Sequence, residues 1–345
     1  MNSSDFEKSV SQLLAQIGQD GPFKMQALDG GANNQVFKVT CGSGQFCLKR
    51  YFQHEKDPRN RYKTEYSFIS FAWQHGIRAI PRPVACNDSE KIALYDFIPG
   101  KRFKPGEIHQ PELDQALAFY KALNQHRNQP TARELPRASE YCESINDHIQ
   151  RIEFRRQRLN SIGEKSTIDG EAVQFIQTNL KQAWQNVKQY VRAQAKNWQI
   201  NISKKITTED SCLSPSDFGF HNALKTTEGL IYFIDFEYAG WDDPDRMVAD
   251  FFCQPAVPVP LEFFSFFTES IASGYANPEL HLKRMKLLLP IYQIKWCCIL
   301  LNDFLPTDSA RRQFSKGNEN QNEKKRLQLE KARQAVQRIE SMKMV

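Results

Sequence analysis

One stretch, Ser214-Pro-Ser-Asp-Phe-Gly-Phe-His-Asn222 followed by Ile231-Tyr-Phe-Ile-Asp-Phe-Glu237, constrains the chain more than any other. Asp217 and Asn222 stand five residues apart in a Gly-containing loop, and Asp235 ends an apolar run that predicts a strand. One short hairpin can therefore bring three oxygen-bearing side chains to one spot. Such a group suits a divalent cation beside a hydroxyl. Phosphoryl transfer needs little covalent work from a protein beyond aligning the acceptor and neutralising phosphate charge with Mg²⁺, which prefers oxygen ligands. An isolated Asp-x-x-x-x-Asn is common by chance, and a strand-ending Asp is more often a turn cap. The order of the other segments is what gives this one weight.

The chain has 345 residues, 40% of them apolar, enough to bury a large core in two domains or lobes. None of the eight cysteines forms a C-x-x-C pair, and most lie in apolar runs, as reduced thiols in a cytoplasmic protein would. The start, Met-Asn-Ser-Ser-Asp-Phe, lacks the basic-then-apolar order of a signal peptide. The most hydrophobic window, Leu287 to Leu305, contains Pro290, Gln293, Lys295, Asn302 and Asp303, so it predicts a buried helix and not a membrane span. The formal charge is +6, and from Arg311 onward ten Lys/Arg face four Asp/Glu, leaving the first 310 residues close to neutral. A uniformly basic nucleic-acid surface is not indicated.

Along the chain, residues 2–18 predict a helix on Phe6, Val10, Leu13, Leu14 and Ile17. Met25–Leu28, Gln35–Cys41 and Gln45–Phe52 predict three strands in a meander. The first loop, with Gly30, Gly31 and Asn34, lets backbone approach a phosphate, although an ordinary hairpin turn reads the same way. It is not a G-x-x-x-x-G-K-[ST] loop. Lys49 falls on the third strand, and Glu65 opens a helical run sixteen residues later. A strand lysine paired with a helix glutamate is how kinase-like lobes hold the α- and β-phosphates, whereas most Lys/Glu pairs are merely solvated. A further strand, Lys91–Phe97, ends at Pro99-Gly100, and residues 110–200 turn helical, with a basic run over Arg151–Arg158. Asp243-Pro244 predicts a helix start, and Leu329, Ala332, Val336 and Ile339 mark the apolar face of a basic terminal helix that could pack on the body, pair with a partner or lie on an anionic surface.

The residues Asp217-x-x-x-x-Asn222 and Ile234-Asp-Phe-Glu-Tyr-Ala-Gly-Trp-Asp-Asp-Pro244 resemble the catalytic and metal segments of the aminoglycoside phosphotransferase and choline kinase group. The resemblance implies a protein-kinase-like, two-lobed α+β fold, with a small antiparallel-sheet N-lobe and a larger, mostly helical C-lobe. It makes Asp217 the catalytic base, Asn222 and Asp235 the magnesium ligands, Lys49 the partner of the ATP phosphates and Glu65 the residue that positions it. The hinge would place backbone around Tyr95, Asp96 and Phe97 against adenine. Glu237, Tyr238 and Trp241 become candidates for substrate or a second metal, the two aromatics by cation–π contact with an amine. Two departures stand out: Pro215 where the family usually has His, and Met247 where it often has Asp.

The expected organisation is an N-lobe over 1–97, a hinge at 98–102, a C-lobe over 103–310 and a basic helix over 311–345. The expected function is ATP- and Mg²⁺-dependent transfer of a phosphoryl group to a small-molecule hydroxyl, with no nucleic-acid or membrane partner. A pseudokinase that binds nucleotide without turnover is the alternative, motivated by Pro215 and the thin glycine loop. A protein kinase is disfavoured, because Asp235-Phe-Glu stands where D-F-G would and no A-P-E follows.

Overall fold

The computed structural model describes residues 3–28, 34–42, 44–52, 59–305 and 321–341. These divide into two compact units, one comprising 3–140 and 213–241, the other 141–212, 242–305 and 321–341. The first unit therefore extends past the predicted hinge and takes in the whole Asp217–Glu237 hairpin.

The first unit begins with α1 (Ser3–Ala15) and β1 (Phe23–Ala27), β2 (Gln35–Cys41) and β3 (Gly44–Arg50). After α2 (Arg61–Gln74) come β4 (Pro83–Asn87) and β5 (Ile92–Asp96), completing an antiparallel sheet of order β1-β2-β3-β5-β4. Alternation decides what each face does. Val39, Cys41, Phe46, Leu48, Ile92 and Leu94 are buried in one cluster with Phe6, Val10, Leu13 and Leu14 of α1. Lys49, between these positions and opposite Ala93 in the β3–β5 register, is left on the other face. The hydrophobic pattern of three strands thus fixes where the lysine points.

β6 (Lys101–Arg102) and α3 (Gln110–Gln125) follow. The chain enters the later part of this unit along β7 (Cys212–Ser214), runs through β8 (Ala223–Lys225) and β9 (Ile231–Phe233), and leaves it along β10 (Gly240–Asp242), with a three-stranded sheet in the order β6-β8-β9. Phe119 of α3 stacks on Phe233 at 4.7 Å and meets Phe218 at 5.8 Å, while Phe103 meets Phe220 edge-on at 5.3 Å. The apolar members of the hairpin are thereby nailed to α3, and its polar members are left to the site.

The second unit is helical: α4 (Ile145–Arg158), α5 (Thr167–Phe175) continuing through a π turn into α6 (Lys181–Asn197), α7 (Pro244–Cys253), α8 (Phe264–Ala272), α9 (Pro278–Leu300) and α10 (Gln321–Ser341). The apolar window over 287–305 lies mostly in α9, whose Leu287, Leu288, Ile291, Ile294 and Cys297 are fully buried in the core. Leu329, Ala332, Val336 and Ile339 of α10 are buried in the same core. Asp243 caps α7, its Oδ1 accepting from the Asp245 amide at 2.8 Å, with Pro244 at the first position.

Around the start of α7 lies a network of fully buried charges. Arg246 bridges Asp242 and Asp250, Arg284 bridges Asp243 and Asp245, Lys295 reaches Asp250 at 2.6 Å, and His281 meets Asp245 at 2.8 Å. Met247 is buried and apolar, and Asp250 is committed to Arg246, Lys295 and the Trp296 indole. Burial pushes the Asp242 carboxyl up to about 6 against the pull of Arg246. Burial works the same way on Asp243, yet Arg284 and His148 hold that carboxyl well below the usual range.

Candidate active site

Three elements of the first unit converge on the amine of Lys49. Its Nζ donates to Glu65 Oε1 at 2.7 Å and Oε2 at 3.0 Å, and to Asp235 Oδ1 at 2.8 Å. Burial alone would strip the charge from this lysine, but Asp235 and Glu65 together hold its ammonium well above the ordinary range. Glu65 on α2 is 1% exposed. It also accepts from Tyr51 Oη at 2.8 Å and from the Phe236 amide at 3.2 Å. The Phe236 ring stacks on Phe68 of α2 at 5.4 Å, so the Asp235–Phe236 backbone is tied to the same helix that supplies Glu65. Asp235 sits at φ +69°, a left-handed conformation that Asp tolerates better than most residues. Its side chain remains 34% exposed.

The loop that precedes it is braced from several sides. Leu213 is clamped to Asn124, its amide donating at 2.8 Å and its carbonyl accepting at 3.0 Å. The Ser214 hydroxyl accepts from the Ser216 amide at 2.9 Å, and Ser216 takes φ +67°. Pro215 therefore sits in a loop held by Asn124 and Ser214. Asn222 donates Nδ2 to the Asp217 backbone oxygen at 3.1 Å and to Oδ2 at 3.2 Å, while its own carbonyl accepts from the Ile234 amide at 2.9 Å. With Nδ2 turned to Asp217, Asn222 keeps Oδ1 for a cation. His221 Nε2 lies 3.1 Å from Asp217 Oδ1.

The candidates at the edge of this group are placed differently. Glu237 is 2% exposed and accepts from Asn34 Nδ2 at 2.7 Å, with Arg61 Nε at 3.6 Å. Asn34 Oδ1 in turn accepts from the Phe52 amide at 3.1 Å, so Asn34 and Glu237 join β2, the end of β3 and the Asp235 segment. Tyr238 has Arg59 and Arg61 within 5.4 and 5.9 Å of its ring. A ligand cation at that face would meet two like charges. The Trp241 indole donates to the Ala132 carbonyl at 2.8 Å. At the predicted hinge, the Asp96 amide donates to Arg82 O and the Phe97 amide to Gln45 O; Tyr95 gives its hydroxyl to Tyr51 at 2.9 Å. In the same segment the Gly100 amide donates to Ile98 O at 3.0 Å. Gly30 and Gly31 lie outside the described residues.

Burial, reinforced by the Asp235 charge and opposed by Arg61, pushes Glu237 up to about 7. A carboxyl raised in the folded state binds its proton more tightly there than in the unfolded chain. Stability should therefore fall as pH rises from about 4.5 to about 7, by at most roughly 1.4 kcal/mol per pH unit. Urea unfolding of the protein and of Glu237→Gln across that window checks this: the variant's curve should be flatter, and parallel curves would assign the slope to other groups.

Lys49, Glu65, Asp217, Asn222 and Asp235 thus fall on one unit, Lys49 bonded to Glu65 and Asp235, and Asn222 to Asp217. His221, Arg61, Tyr51 and Asn124 are partners that sequence spacing did not single out. His221 alone had a local signal, being next to Asn222 in the motif.

Residues 24–263 match the model of the phosphotransferase enzyme family, APH. The chain belongs to this family. No curated protein sequence matches this phosphotransferase. Among solved structures it is similar to choline kinase from Cryptosporidium parvum Iowa II, at 14% identity and TM-score 0.62, covering 99% of this chain and 98% of that one. It is likewise similar to spectinomycin phosphotransferase APH(9)-Ia, solved with ADP and spectinomycin, at 16% identity and TM-score 0.63, covering 96% and 98%. Amicoumacin kinase hAmiN, solved with AMP-PNP and Ca²⁺, shares 16% identity at TM-score 0.57, covering 100% and 95%. At these identities the likeness is one of fold: an α+β, kinase-like chain with an antiparallel sheet first and helices after.

Proposed function

We propose that this phosphotransferase moves the γ-phosphoryl group of ATP to a hydroxyl of a small molecule, with Asp217 as base. The observation that supports this most is the ion-pair junction of Lys49 with Glu65 and Asp235, since it places a buried ammonium beside a half-open carboxylate. Glu65 fixes the lysine by two hydrogen bonds, so the ammonium is positioned before any ligand arrives. Lys49 then binds ATP phosphate oxygens. Asp217, with a 36% exposed side chain, orients the acceptor hydroxyl and takes its proton as the oxygen attacks.

The donor set fits Mg²⁺. Asn222 Oδ1 and the Asp235 carboxylate offer two oxygens, and Mg²⁺ in such sites takes one or two protein oxygens together with phosphates and water. Among the described residues no cluster of three or more His, Cys, Asp or Glu forms an all-protein cage, and this ion does not need one. When bound, the ion neutralises charge on the phosphates.

The test is a thermal-shift screen with ATP, Mg²⁺ and a panel of aminoglycosides, amino alcohols and sugars, followed by a phosphate-transfer assay of each hit. Stabilisation by Mg·ATP and transfer to at least one hydroxyl is the expected result. Lys49→Met should then lower kcat/KM for ATP on the order of 10²–10³-fold. A variant as active as the parent would remove Lys49 from the site.

A further inference from the structure

We propose that His221 is the positioning residue that fixes the Asp217 carboxylate, so that the base meets the acceptor in one orientation. The inference rests on the reading of Asp217 as base and adds to it a residue that no other observation assigns to the reaction.

A carboxylate in a loop rotates easily about its last torsion, because that torsion is broad and nearly two-fold. Here each oxygen has its own donor. Asn222 Nδ2 reaches Oδ2 at 3.2 Å and His221 Nε2 reaches Oδ1 at 3.1 Å. One bond would leave the group free to swing about the remaining contact; two on different oxygens define its plane. A carboxylate oxygen can accept more than one hydrogen bond, so a donor on each oxygen is compatible with acceptance of the hydroxyl proton. The residue two before the base cannot do this, since Pro215 has neither an N–H nor a polar side chain.

His221 is itself held. Its side chain is 15% exposed, and its backbone carbonyl accepts from Arg102 Nη1 of β6 at 3.1 Å. The neighbouring Phe220 ring packs against Phe103 and Phe233. Among the described residues Nδ1 is buried with no hydrogen-bond partner. A hydrogen on Nδ1 would be buried without an acceptor, so the ring carries it on Nε2, where Asp217 accepts it.

Two measurements on the full-length chain decide the proposal. In proton NMR of the ¹⁵N-histidine-labelled protein, the His221 Nε2–H resonance, assigned by its loss in His221→Gln, should lie downfield and move upfield in Asp217→Ala. An unmoved resonance overturns the contact. In assays with Mg·ATP and the panel compound that turns over fastest, His221→Leu should lose ~10–100-fold in kcat with KM for ATP nearly unchanged. His221→Gln, which can still present an amide donor to Asp217, should recover most of that loss. Wild-type kcat in His221→Leu, or a glutamine variant no better than leucine, would overturn the role. Retained turnover in Asp217→Asn is a separate outcome that defeats the phosphotransfer reading itself, whatever the imidazole signal shows.

Discussion

Asp217→Asn should lower phosphoryl transfer by ~10²–10⁴-fold while ATP binding and the melting temperature stay close to those of the parent. The amide has the carboxylate's shape and can still accept from His221 through its oxygen, giving up only the acceptor for Asn222 Nδ2, which keeps its bond to the backbone oxygen of residue 217; it cannot take the hydroxyl proton. Its side chain is partly exposed, so the change creates no buried defect. The check is a comparison of kcat and of the Mg·ATP dissociation constant, with the base role predicting that only kcat collapses. Loss of both together would mean that Asp217 holds the loop and is not the base.

Arg284→Met should be the most destabilising single change in the helical unit, by about 3–5 kcal/mol. Its guanidinium lies between Asp243 and Asp245, whose side chains are both wholly buried, and removal leaves two like charges with no solvent to screen them. Burial and the neighbouring Asp243 already push Asp245 up, with Arg284 the main opposing charge, so the variant should take up a proton on folding. Arg82 makes an equally well-formed pair with Asp96, at 2.9 and 3.1 Å, but half its side chain is in water. Arg82→Met should cost less than about 1 kcal/mol. Denaturant unfolding of the two variants side by side measures the difference, and similar losses would show that burial does not set the value of these pairs.

The fold was legible where one face of an element had to be apolar. Phe37, Val39, Phe46 and Leu48 announce two strands by alternation, and the same alternation turns Lys49 to the opposite face; its pairing with Glu65 was expected only from the order of parts in kinase-like lobes. Leu329, Ala332, Val336 and Ile339 marked α10 in the same way. The Asp217–Asp235 hairpin was legible for another reason, since Asp217, Asn222 and Asp235 are close in sequence and their spacing survives folding. What escaped were contacts between residues remote in sequence. Glu237 meeting Asn34 and Arg61, Leu213 clamped by Asn124, and Asp245 held by His281 and Arg284 leave no periodic trace, because a buried polar partner can come from any element. Nor could the sequence distinguish Tyr238 as a wall for a ligand cation from Tyr238 as a neighbour of Arg59 and Arg61. The expected domain limits at 97 and 310 follow the chain, whereas residues 213–241 fall in the first compact unit, with Phe218 and Phe233 packed on Phe119 of α3.

The most direct measurement is ³¹P NMR of Mg·ATP incubated with the hydroxyl panel, using the parent protein and Asp235→Ala. With the parent, a phosphomonoester resonance should grow in step with ADP for at least one panel compound and stop when EDTA is added. The variant should show neither change. Panel-wide absence of the ester while ATP stays intact, or an ester that forms equally well with Asp235→Ala, would contradict the assignment of Lys49, Asp217 and Asp235 to phosphoryl transfer.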